Sequence, residues 1–131
     1  MPGKVVLGVL LALLVGCEER ERLVFDPDPV DQTGPTSTID PPSSDTTLAV
    51  GLPFVVGARS VDPSGVDTVY IEVLGANLSY LPLPAEGADT FNFAFSVPTQ
   101  GFAGRTVTIG VYGVDLLGNP GPTVARRLTI E

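Results

Sequence analysis

From Thr46 to the end of the chain, apolar and polar residues alternate with a period of two, the mark of strands with one buried face. Phe91, Phe93, Phe95 and Val97 alternate with Asn92, Ala94 and Ser96. Val107, Ile109 and Val111 alternate with Thr106, Thr108 and Gly110, and Val69, Ile71 and Val73 with Tyr70 and Glu72. Phe54, Val56 and Ala58 share one face while Arg59 points the other way. Turn chemistry separates these runs at Asp62-Pro63-Ser64-Gly65, Pro82 to Gly87, Pro98 to Gly104 and Gly118-Asn119-Pro120-Gly121. The pattern predicts strands over 46–51, 53–61, 66–75, 78–82, 90–97, 105–115 and 122–130. About seven short strands in about 86 residues is the arithmetic of an all-β sandwich. No segment after Gly16 keeps a helical period. In the last strand Arg126 shares parity with Val124, Leu128 and Ile130, so an inward face would bury its charge. A bulge at Arg126-Arg127 or an edge position is the expected remedy.

Ahead of the strands the pattern breaks down. Between Asp31 and Thr47 the chain is mostly Thr, Ser, Pro, Asp and Gly, with Ile39 the only large apolar residue. Such a stretch buries too little surface to offset its ordering entropy, which predicts a disordered tether over 17–45. From Glu18 to Asp45 a flexible chain would reach roughly 30 Å, and more where prolines stiffen it. Leu23-Val24-Phe25 interrupts the polar composition and reads either as an apolar patch or as an extra strand. Further back, Lys4 and the amino terminus precede the uncharged apolar run Val5 to Val15, which is too short to span a bilayer at roughly 20 residues. A small residue, Gly16, closes the run before Cys17, as in a secretory signal over 1–16.

Charge and composition then narrow the function. The net charge of −8, with only seven Lys and Arg, excludes a nucleic-acid surface, which needs clustered cations. An acidic chain is also repelled by anionic membrane surfaces, so membrane attachment must come from elsewhere. With no His and one Cys, the usual zinc and thiol–imidazole sites cannot be assembled. A non-enzymatic role without a cofactor is the expectation.

Leu14-Val15-Gly16-Cys17 resembles the lipobox of bacterial lipoproteins. The resemblance implies cleavage after Gly16 and a diacylglycerol on the Cys17 thiol, with the new amino group often acylated as well. Several acyl chains make a stable anchor, at about 0.8 kcal/mol per buried methylene. Glu18, where enterobacterial lipoproteins retained at the inner membrane carry Asp, implies outer-membrane placement in the cell envelope. Val56 to Val66 and Val107 to Asn119, the latter with its Asp-x-x-Gly-Asn corner, resemble immunoglobulin-like and fibronectin-III-like domains of bacteria. That resemblance covers nearly all of 46–131 and implies an immunoglobulin-like sandwich; it is nearly silent on function.

Within such a sandwich, Asp62 and Asp115 end strands that run the same way, so both corners lie at one end, with Asp40 and Asp45 entering there. Clustered carboxylates can bind Ca²⁺ through six to eight oxygens. The plainer reading is that each Asp caps its own turn. Tyr70 and Tyr112 point away from the core on neighbouring strands and, with Arg126 or Arg127, suggest a platform for a sugar, a peptide or another subunit. Cross-strand packing of two half-exposed tyrosines is the ordinary explanation. Asn77-Leu78-Ser79 matches a glycosylation sequon by chance in a chain with a bacterial signal. The sequence therefore reads as a lipid-anchored binding or spacer module. The alternatives are a subunit of an envelope assembly and a carbohydrate-binding accessory module.

Overall fold

The computed structural model describes residues 31–131, which form a compact unit of their own. The signal segment, Gly16, Cys17 and Leu23-Val24-Phe25 lie outside the described residues. Six strands follow one another: β1 (Thr36–Ile39), β2 (Thr46–Leu48), β3 (Phe54–Leu74), β4 (Leu83–Val97), β5 (Thr106–Asp115) and β6 (Val124–Ile130). The described residues contain no helix, hence none long and apolar enough to cross a membrane.

The architecture is the expected all-β sandwich, made by one hydrogen-bonded sheet curling over on itself. Strand order is β1-β3-β5-β6-β2, with β4 pairing on β3. The hinge is β3, whose 21 residues serve as two strands. β4 pairs along the first arm, Phe54 to Val61, and past the corner as far as Val69, while the second arm, from Thr68 to Leu74, also pairs with β5. Register shifts between Val61 and Thr68 mark the fold-over. Pro63 lacks an N–H for the ladder, and Gly65 sits at φ +96°, a conformation that suits glycine. The two predicted strands 53–61 and 66–75 are thus continuous through their Asp-Pro-Ser-Gly corner.

Inward residues of both layers share one core. Val56, Ala58, Phe95 and Val97 come from the first layer, and Val69, Ile71, Val107, Ile109, Val111, Leu128 and Ile130 from the second. The period-two reading located these positions because alternation is what a pleated, half-buried strand requires.

The expected tether fails in its later part. Thr36–Ile39 forms β1, antiparallel to the first arm of β3, and Ile39 is 1% exposed within the core. Thr46–Leu48 then runs parallel to Leu128–Ile130. The leading strand is therefore split between the two layers. Its inward polar position is also satisfied: the buried hydroxyls of Ser37 and Ser60 share a hydrogen bond of 2.6 Å. Between the two pieces the chain passes Pro41 and Pro42, where the Gly57 N–H donates to the Pro41 carbonyl.

Arg126 needs no bulge, and it has the expected edge position: β2 pairs with β6 only from Leu128 to Ile130, so at Arg126 the strand has β5 alone beside it. It keeps inward parity, and its guanidinium donates from Nε to the Pro42 carbonyl at 3.1 Å and from Nη2 to that of Ile39 at 3.2 Å. The charge is absorbed by carbonyls that the strand switch leaves free. The expected strand over 78–82 is absent. Leu81 is 85% exposed, and Tyr80 packs edge-on against Phe95 while its hydroxyl donates to the Ser96 carbonyl. Burial pushes the Tyr80 phenol above its usual range.

Candidate functional site

Two groups of side chains stand out from the core. The first lies at the end of the sandwich where the described chain begins. Asp62 closes the first arm of β3, and its Oδ1 accepts the Ser64 N–H at 2.8 Å. Asp115 closes β5, and its Oδ1 accepts the N–H groups of Leu117 and Asn119 at 2.9 and 2.8 Å. Its Oδ2 accepts Asn119 Nδ2 at 2.9 Å. Each Asp thus caps its own turn, as the plainer reading expects.

A third carboxylate joins them. Asp31 accepts from the Thr33 N–H and hydroxyl on Oδ1, and from the Ser64 hydroxyl on Oδ2 at 2.8 Å. One oxygen from each of Asp31, Asp62 and Asp115 lies within 4.8 Å of the others. Asp62 and Asp115 are buried, at 4% and 1% exposure. Asp62 Oδ2 is buried and has no hydrogen-bond partner. Asp40 and Asp45 do not join the cluster. Asp40 is exposed beside Thr38 and Arg59, and Asp45 accepts the Arg127 N–H at 2.9 Å beside β6.

The electrostatics of the cluster mix attraction and repulsion. Burial opposes the charge on Asp115, and the nearby Asp31 carboxylate repels it. Hydrogen bonds from Asn119 and Leu117 outweigh both and hold the Asp115 carboxyl below its ordinary range. Bonds from Thr33 and Ser64 lower Asp31 likewise.

Packing around the leading segment explains how Asp31 arrives. Pro35 is buried, and a Cβ on Gly113 would meet its ring at 2.9 Å. A Cβ on Gly121 would overlap the Pro35 carbonyl. Asn119 Nδ2 also donates to the Asp31 carbonyl at 2.7 Å, stitching the segment to the β5–β6 corner. In the sequence Gly121 looks like a turn residue and Gly113 like a strand position. Their second role, making room for a passing strand, needs the structure.

The second group is Tyr70 and Tyr112. They are direct cross-strand partners on the outward face of β3 and β5, both half-exposed. Their rings stack with centroids 5.1 Å apart and planes at 13°. Each ring thus gives one face to the other, which is the ordinary packing of such a pair. Neither Arg completes a platform. Arg127 stands opposite Thr108, roughly 13 Å along β5 from Tyr112 at about 3.3 Å per residue, and Arg126 is spent on the strand switch.

No protein-family model and no curated protein sequence matches the chain. Among solved structures it is similar to a point mutant of the SrpA adhesin from Streptococcus sanguinis, with a TM-score of 0.49 and 18% identity, over 77% of this chain and 57% of that one. It is also similar to the sialic acid binding region of a Streptococcus sanguinis adhesin, with a TM-score of 0.48 and 21% identity, over 77% of this chain and 30% of that one. The chain thus spans less than two thirds of either.

Proposed function

We propose that this chain is a lipid-anchored module of the bacterial cell envelope, held by acylated Cys17, that binds or spaces without catalysis. The observation that carries the reading is Leu14-Val15-Gly16-Cys17 closing an uncharged apolar run, with a compact sandwich beginning at Asp31. Net negative charge does not hold a protein to anionic membranes, and a lipid supplies the attachment that charge does not. The lone cysteine is then consumed by the anchor. Because the folded unit starts at Asp31, the residues from Glu18 to Val30 can place it at most roughly 45 Å from the lipid. The outer membrane is the assigned location, from Glu18 directly after the cysteine.

Mass spectrometry of the mature N-terminus tests the anchor. The expected species begins at a diacylglyceryl-modified Cys17, and Cys17→Ser should release the protein from membranes. An unmodified Cys17, or a retained Met1 to Gly16, overturns the proposal. Protease treatment of whole cells tells which side of the outer membrane the domain occupies.

A second reading rests on the half-exposed aromatic pair of Tyr70 and Tyr112, whose outer edges offer a surface to a glycan or a protein subunit. Replacing both with Ser should abolish binding on a glycan array or in a pull-down. Retained binding by the folded double variant removes the pair from consideration.

A further inference from the structure

The three carboxylates gathered by the leading segment and the two corners carry an inference that does not depend on the lipid anchor. Every group donating a hydrogen bond to them is neutral: Thr33, Ser64, Leu117 and Asn119. Turn-capping accounts for both oxygens of Asp115, but only one of Asp62. The other, Oδ2, is buried without a partner in a residue 4% exposed. A buried charged oxygen without a partner is strongly unfavourable, and two neighbouring carboxylates make it worse. A protein tolerates that arrangement readily when a cation completes it.

The geometry suits one ion. Oxygens bound to calcium lie about 2.3–2.6 Å from it, so two that share an ion can stand at most roughly 5 Å apart. The 4.8 Å separation of the three carboxylates meets that bound. All the donors are hard oxygens, which select calcium or magnesium over zinc or copper. Each carboxylate is pinned by its own turn and comes from a separate segment of chain. Such a fixed, irregular set suits calcium, which accepts varied geometry, better than magnesium, which demands a near-ideal octahedron.

We propose that Asp31, Asp62 and Asp115 bind one calcium ion, with Asp62 Oδ2 as the oxygen the ion satisfies and water filling the remaining positions. The ion then fastens the segment ahead of β1 to the corners of β3 and β5, making the docking of the leading strand calcium-dependent.

Thermal unfolding of the purified full chain, in EDTA and then in millimolar CaCl₂ or MgCl₂, tests the site. Calcium should raise the Tm by roughly 5 °C or more, and magnesium by less. Calorimetric titration with CaCl₂ should return one site per chain. Asp62→Asn gives the sharpest contrast. It should raise the Tm in EDTA, because a repelled charge is removed, and abolish the response to calcium. Asp31→Asn leaves both capped corners intact and should weaken the response at least tenfold in calcium concentration. An unchanged wild-type Tm overturns the site, as does a calcium response that survives in Asp62→Asn. If Asp62→Asn does not fold, a full response in Asp31→Asn overturns it instead.

Discussion

Ile39→Ala separates a folded leading strand from a tether more cleanly than any other change. On a solvated linker the substitution would be neutral. In the fold, Ile39 is 1% exposed and belongs to the core between the layers. Truncation removes three carbons at about 0.8 kcal/mol each, or about 2.4 kcal/mol of transfer free energy. The cavity left behind adds to this, because β1 is held to β3 by its ladder and cannot collapse freely into the gap. A total of about 3–4 kcal/mol follows, inside the usual range for such truncations. A domain of this size is stable by only about 5–15 kcal/mol, so the change consumes a large share. Equilibrium urea unfolding followed by far-UV circular dichroism measures it, as a lower midpoint at constant slope. Thr38→Ala, at an exposed position of the same strand, is the control and should stay within about 0.5 kcal/mol. A midpoint for Ile39→Ala equal to that of the control would refute the placement of β1.

Three further outcomes follow from the same contacts. Arg126→Met should cost about 1.5–3 kcal/mol in urea unfolding, because the carbonyls of Ile39 and Pro42 lose a charged donor; Arg126→Lys should recover only part, lacking the fork. Gly121→Ala should destabilise by about 3 kcal/mol by the same assay, since its Cβ overlaps the Pro35 carbonyl and backbone must move. Tyr80→Phe should cost about 1 kcal/mol at neutral pH, from the lost bond to Ser96. Because burial raises the Tyr80 phenol in the fold, its neutral form is the one the folded state favours. That stability is intact below the unfolded tyrosine value near 10 and drains away as pH rises through the folded value, so the wild-type advantage over Tyr80→Phe should shrink in alkali. An advantage that is flat with pH refutes the role given to the phenol.

The parts of the fold that alternate were legible in the sequence, and the part that does not was hidden. Runs such as Phe91 to Val97 declare themselves because every second residue is large and apolar. β1 offers Ile39 alone, and its other inward residue is Ser37, whose hydroxyl is satisfied by Ser60 across the ladder. Hydropathy scores such a position as solvent. The space taken by Pro35 ahead of β1 and by Asp40 and Pro41 after it was written elsewhere, in the missing side chains of Gly113 and Gly121 and of Gly57. Asp62 and Asp115 could be placed at one end from strand direction. Asp31 could not, because no spacing rule joins it to partners so far along the chain.

Ile39 and Leu48 sit on opposite layers, and that split gives the molecule a direction of strength. The described chain starts beside Asp115, while Glu131 leaves at the other end, next to Leu48 and Arg105. Tension between the two ends therefore runs along β1 rather than across it. Antiparallel hydrogen bonds stand perpendicular to their strands, so those between β1 and β3 resist sliding together instead of opening one at a time. A domain pulled from the residues ahead of Asp31 meets the load in shear at its first strand, the geometry of a clasp rather than a zip.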